Sequence, residues 1–376
     1  MSLKERLGKE IDIQKSSFSG IKRPFDPLVL AIGIISPITA VLVGLFITAI
    51  LLWASGKDAS FVFGEIFRSA FVENFSETVV KAIPLALTGL AVAIAFRVRL
   101  WNIGAEGQFY AGVLAATALA LGFPTLPAWV IIPAMLLAGM LGGALWALLP
   151  AILRAWLEVN EIISSLMLNY VAVLLADYFI FGPWRDPKGF NFPVTATFSD
   201  SARLPIIVEG TRIHFGLILA LVVATLLWLL GRTRWGFELK VMGDNLNTAR
   251  YAGIKVTRNI IFAFLLSGAV AGLAGMSEVT GVAGRLQQGI SPGYGYTAII
   301  VAWLARLNSW SILLVAVLFG GLLASGFTMQ RIGVPSGLVT MLQGIILFCV
   351  LAGESLSRRL LYLRALRRNN EKKGQE

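Results

Sequence analysis

The sequence predicts an all-α, polytopic integral membrane protein of about ten transmembrane helices, and three observations carry that prediction. Of 376 residues 57% are hydrophobic and only 14% charged, with mean hydropathy +0.77, far too little charge for a soluble domain of this length. Apolar windows long enough to cross a bilayer recur with short connections. Lys and Arg gather between those windows. The net charge of +11 would suit nucleic acid only if it formed a basic patch on a soluble surface, so no nucleic-acid partner is expected and the lipid bilayer surface takes the charge instead. Cys349, the one cysteine, lies in an apolar run, which leaves no disulfide framework and no thiolate metal site.

In chain order, residues 1–27 are polar and basic without an apolar h-region and read as a cytoplasmic segment, not a cleavable signal. A transmembrane domain is expected over 28–355, with spans at 28–53, 80–98, 104–121, 128–150, 160–182, 214–231, 259–282, 293–306, 311–329 and 336–353. The windows near 104 and 293 are short. A basic tail, 356–376, follows. An even number of spans puts both termini on one side, and that side collects 23 Lys and Arg against 8 on the other. The positive-inside rule then places both termini and the connection 232–258 in the cytoplasm, and 183–213 outside. This external loop carries Pro183, Pro187, Pro193 and Pro205 and reads as a tucked lid. It ends at His214, the only histidine, which has no Cys or His partner at ligand spacing and reads as an interfacial residue.

The connection 232–258 holds a polar island at 236–254. Asn245 or Asp244 suits an N-cap and Gly253 a left-handed C-terminal position, which predicts a helix of about two turns over Leu246–Ala252. Gly243 leads into it, and Ala249, Arg250 and Tyr251 lie on it. A helix this short is unstable alone in water. Either a soluble partner grips it, or it is a capped turn packed on its own spans.

An internal repeat, weak in sequence, organises the spans. Asn102–Gln108 opens one short window followed by a Gly-rich one, and Ser291–Thr297 opens a similar pair. Each pair is followed by a third span, with Met167-Leu168-Asn169 in the first half and Met341-Leu342-Gln343 in the second. Short, Gly- or Pro-broken spans at corresponding positions mark a transport pathway at a repeat interface. The glycines have a second reading as packing surfaces, as in Gly139-x-x-x-Gly143 and Gly268-x-x-x-Gly272. Glu106, Glu161, Asp177 and Glu278 lie within a turn or two of span ends, so no carboxylate relay crosses the midplane. The candidate pathway is a neutral hydrogen-bonding lining of Asn169, Gln343, Ser165 and Thr340, with Asn102 and Glu106 at the first short span. Such amides are equally ordinary interhelical glue.

Trp101–Gln108 (WNIGAEGQ), Asn160–Tyr170 (NEIISSLMLNY) and Gly243–Ile254 (GDNLNTARYAGI), in this order and spacing, resemble the membrane permeases of the ribose and branched-chain amino acid group of bacterial ABC importers. Within that group the chain looks most like permeases of nucleoside uptake, and Leu204-Pro205 and Arg212-Ile213-His214 add to the match. The resemblance covers roughly residues 78–355. It departs at Arg99, where many relatives have Gly, and at Leu246, where Pro is common. It implies a plasma-membrane subunit that encloses a pathway with a second, identical or homologous permease. An extracytoplasmic substrate-binding protein delivers the solute, nucleosides or alternatively simple sugars, and an ABC ATPase grips the short helix through Gly243, Asp244, Asn245, Ala249, Arg250, Tyr251 and Gly253. The chain itself contains no Gly-x-x-x-x-Gly-Lys-Ser/Thr loop, since Gly56-Lys57-Asp58 lacks both the upstream glycine and the hydroxyl. It is therefore expected to be a transport subunit, not an enzyme, binding no cofactor directly and leaving ATP to its partner. A stand-alone secondary transporter or channel is the competing class; an intramembrane enzyme is disfavoured because no nucleophile and base stand out.

Overall fold

In a bilayer every backbone polar group must be satisfied within the segment itself, and the apolar windows accordingly fold as helices. A computed structural model describes residues 27–189, 192–334 and parts of 337–356, with side chains from residue 39. The chain divides into two units, Leu45–Leu347 and Met1–Gly44 with Phe348–Glu376; apart from the first part of the helix Pro27–Ala54, the helices and the site described below belong to the former. The helices are α1 (Pro27–Ala54), α2 (Ala59–Arg68), α3 (Phe75–Arg97), α4 (Ala105–Gly122), α5 (Ala128–Leu157), α6 (Glu161–Phe181) and α7 (Gly216–Leu230). They continue with α8 (Arg234–Asp244), α9 (Leu246–Tyr251), α10 (Val256–Glu278), α11 (Tyr294–Leu304), α12 (Ser309–Ala324) and α13 (Gly326–Arg331). Nine of the ten expected windows coincide with helices, and the window at 336–353 is described only in pieces. Among the described residues five helical stretches are long and apolar enough to cross a membrane by length and composition, or six if α7 and α8, bent by 76°, form one span.

Two helices fall where connections were expected. Asp58 caps α2, accepting from the backbone N–H of Ser60 (2.8 Å) and Phe61 (3.3 Å). The helix buries Val62 against Leu52, Met329 and Val334 and leaves Phe61 and Phe67 exposed. At ten residues it is too short to be read as a span. Thr233 caps α8 by accepting from Gly236 N–H at 3.2 Å, so most of the polar island at 236–254 is helical.

The packing centre is α10, which lies against α3, α4 and α5. Lipid tails are as apolar as leucine, so helices in a membrane associate by close approach more than by burial. That approach is made by the glycines singled out above. A Cβ on Gly143 would strike the Gly268 carbonyl, one on Gly139 would crowd Met276, and one on Gly112 of α4 would strike Gly272. Parts of the proline-rich segment 183–213 are hydrogen-bonded to the stretch 280–288. Thr195 N–H donates to Leu286 O (2.9 Å), Leu286 N–H to Thr195 Oγ1 (3.0 Å), and Phe198 N–H to Gly284 O (2.8 Å). His214 stands at the start of α7 but is fully buried, not water-facing. Its Nδ1 accepts from Gly216 N–H at 3.1 Å.

Candidate functional site

The site is built where α4 and α11, the two short helices, begin side by side. A helix start leaves N–H groups without partners and carries partial positive charge. At α11, Ser291 Oγ accepts from Gly293 N–H (3.1 Å) and Tyr294 N–H (3.0 Å), and Glu106 Oε2 accepts from Gly295 N–H (2.6 Å). Glu106 itself sits in the first turn of α4. One buried carboxylate thus lies at the positive ends of both helices. The approach requires glycine, because a Cβ on Gly295 would strike the Glu106 backbone.

The segment leading into α4 is fixed by amides. Asn102 and Gln108 pair reciprocally, Nδ2 to Oε1 at 2.9 Å and Nε2 to Oδ1 at 3.0 Å, while Asn102 also donates to Ser267 Oγ (2.8 Å) and accepts from Gly104 N–H (3.1 Å). Asn169 reaches in from α6. Its Oδ1 accepts from Gly107 N–H (2.8 Å), and its Nδ2 donates to Ile103 O (2.9 Å) and Tyr296 Oη (3.3 Å). Three hydrogen bonds therefore tie α6 to both short helices. Ser165, one turn earlier, is buried and packs where a Cβ on Gly104 would stand 2.9 Å away. The structure brings Asn102, Glu106, Ser165 and Asn169 into one cluster; Thr340 and Gln343 lie outside the described residues. Arg99, at the turn before this cluster, has φ +57°. That left-handed conformation is one glycine adopts without strain.

Three residues were missed in the sequence. Lys81 Nζ donates to Glu278 Oε1 at 3.4 Å, and Tyr294 Oη donates to the same oxygen at 3.3 Å, so the buried Glu278 carboxylate has a cationic and a neutral donor. Tyr296 partners Asn169. Both tyrosines stand in the Ser291–Thr297 motif, but Lys81 is a lone cation in an apolar window whose partner is distant in sequence.

The short helix α9 forms with the expected caps. Asn245 Oδ1 accepts from Asn247 N–H (2.8 Å) and Thr248 N–H (3.2 Å). Gly253 has φ +74°, and Ile254 N–H returns to Ala249 O at 3.0 Å. Gly243, in the last turn of α8, sits on the Arg97 carbonyl. Ala249 is fully buried within its own chain. The free side of α9 presents Leu246, Asn247, Arg250 and a 94% exposed Tyr251; Asp244 and Asn245 are exposed at its start.

Apolar helices sewn by glycine, two short helices starting inside the buried core, and a capped helix projecting from a basic loop together define a membrane permease. The chain belongs to the permease components of branched-chain amino acid transport systems, whose family model matches residues 74–351. It is similar to the glucose ABC transporter permease protein TsgB13 of Haloferax volcanii, at 38% identity over 92% of this chain and 93% of that one. It is also similar to the guanosine ABC transporter permease protein NupP of Bacillus subtilis, at 34% over 84% and 92%. The nucleoside ABC transporter permease protein NupB of Lactococcus lactis is 30% identical over 84% and 90%. The chain is thus an ABC transporter permease, a multi-pass plasma-membrane component and not an enzyme. Membership implies ATPase and binding-protein partners.

Proposed function

We propose that this permease forms the membrane-spanning half of an ATP-driven importer for a neutral polar solute, nucleosides foremost. The observation that carries the reading is the bond from Gly295 N–H to Glu106 Oε2 at 2.6 Å. Where transporters handle anions, the N-termini of broken helices point at the anionic group. Here the chain's own Glu106 carboxyl group already accepts from that helix start, so an anionic solute would find the donor it needs occupied. Nucleosides are favoured by the guanosine and nucleoside permeases among the relatives. A sugar is the second reading, favoured by the glucose permease at 38% identity. Uptake of guanosine, glucose and an anionic nucleotide into proteoliposomes holding the copurified complex and ATP tests this. Guanosine entering fastest is expected; a nucleotide entering as fast would overturn the neutral-solute reading, and glucose alone would transfer it to the sugars.

In this arrangement residues 28–355 are the permease domain, the termini and the 232–258 coupling loop are cytoplasmic, and the lid 183–213 faces the substrate-binding protein outside. A second permease subunit completes the pathway, and ATP is used only by the partner ATPase, which engages the free side of α9. Asn247→Cys and Asp200→Cys, each in a Cys349→Ser background, should react with impermeant thiol reagents from opposite sides. Labelling of the Asn247→Cys chain from outside intact cells would reverse the orientation. Tyr251→Glu should leave the chain inserted but lower solute-stimulated ATP hydrolysis several-fold; unchanged ATPase assembly and transport would sink the docking role.

A further inference from the structure

The outward face of α6 is largely apolar, with Ile163, Met167, Val171 and Leu174 exposed, but two polar groups interrupt it. Tyr170, midway along the helix, is 59% exposed, and Asp177, two turns further on, is half-buried on the same edge. Beside this edge α11 exposes Tyr296, 39% accessible, with its hydroxyl held by Asn169, the residue next to Tyr170. Tyr296 lies within electrostatic reach of Tyr170, and Asp177 within that of the buried Tyr110 beneath. Asp177 lies one turn from the end of α6, and ionisable residues within membrane helices face a bundle interior or a water-filled path. On the neighbouring α5 the corresponding row, Leu137, Leu141, Leu145 and Leu149, is apolar throughout.

We propose that Asp177, Tyr170 and Tyr296 form the wall along which the solute passes, the carboxylate accepting its N–H or O–H groups and the two tyrosine rings stacking on its planar base. This rests on the nucleoside reading above. An aromatic face serves any base and grips none by charge, and a conduction site must release what it binds. Asp177 and Tyr170 are about 10 Å apart along the helix, so the solute meets them in succession.

The test uses the assembled transporter with its ATPase and binding protein in proteoliposomes. In a Cys349→Ser background, Tyr170→Cys should react with a water-soluble thiol reagent, and saturating guanosine, or whichever solute the wild type carries best, should slow the reaction several-fold. Leu141→Cys should stay unreactive. Failure of Tyr170→Cys to react, reaction that no transported solute slows, or reaction in the isolated chain that is lost on assembly with the second permease would each overturn the wall. Uptake supplies the second arm. Tyr170→Leu should lower guanosine entry about tenfold relative to glucose, the size one stacked ring contributes, while Tyr170→Phe stays within about twofold of wild type. Equal losses for all solutes in Tyr170→Leu would make the residue scaffold. The wild-type ranking alone reports the solute class, so failure of that reading is seen separately from failure of the wall.

Discussion

Helices α5 and α6 are sequence neighbours, and most of each lies outside the packed core, yet they meet the molecule in opposite ways. The inner face of α5 is glycine, with Gly139 and Gly143 set against α10, and its outer face is leucine. The inner face of α6 is polar, with Ser165 and Asn169, and its outer face includes Tyr170 and Asp177. The difference separates two tasks. A glycine seam holds by shape and tolerates any apolar surroundings, whereas Asn169 holds by direction, because its amide must satisfy Gly107, Ile103 and Tyr296 at once. Helix α5 is a strut with an apolar outer face; α6 is the element that positions the starts of both short helices.

The strongest test of that division is overpacking of the seam. Gly143→Val puts a branched side chain where the Gly268 carbonyl already lies, and neither backbone can withdraw without moving α10. Overpacking costs 1 to 3 kcal/mol in ordinary cores and more where backbone is met, so a loss of about 3 kcal/mol or more is expected. It should be read as failure to migrate as a monodisperse species in detergent. A well-behaved Gly143→Val chain would show that the α5–α10 contact is looser than described.

Breaking the amide clamp should cost less and act elsewhere. Asn169→Leu removes three hydrogen bonds; at about 0.6 kcal/mol each in membrane helices, the expected loss is about 2 kcal/mol in thermal or denaturant unfolding. Transport should fall further than this loss of stability explains, since the starts of α4 and α11 lose their common anchor. Full transport at reduced stability would return Asn169 to ordinary helix glue.

The charged joint between the two helices is smaller again. Arg154 Nε lies 3.2 Å from Glu161 Oε2, and Glu161 Oε1 accepts from Trp101 N–H at 3.3 Å. Arg154 is about a third exposed, which screens the pair. Arg154→Ala should therefore destabilise by about 1 kcal/mol, and high salt should narrow the difference from wild type. A salt-independent loss would place its value in packing of the arginine stem.

Most of the frame was legible in the sequence because membrane insertion writes itself in runs of apolar residues. The caps of α9 were legible for a local reason: Asn245 and Gly253 act on backbone groups within a few residues of themselves. The Gly139/Gly143 and Gly268/Gly272 pairs were legible as surfaces, since small residues four apart share a helix face. The centre of the site was not. The bonds from Gly295 to Glu106 and from Lys81 to Glu278 join residues nearly two hundred positions apart, and no local pattern announces them. Helix α2 was hidden by its length, and the burial of Ala249 by packing that spacing alone does not reveal.

The smallest expected effect discriminates most finely between the two faces. Leu141 is 61% exposed on α5, and truncating it to alanine removes side-chain atoms that touch lipid in the folded protein. They touch lipid equally when the helix is inserted but unpacked, so no transfer term separates the two states and no cavity forms. Leu141→Ala should change stability by less than about 0.5 kcal/mol, as surface substitutions do, and leave uptake of every solute within error. The outcome that breaks the comparison is specific. If Leu141→Ala leaves the isolated chain as stable as wild type but weakens its copurification with a second permease subunit, the leucine row is a protein contact. Helix α5 would then be the subunit interface, and the lipid boundary would have to be sought on the exposed apolar residues of α7, such as Leu221, Val222 and Leu226.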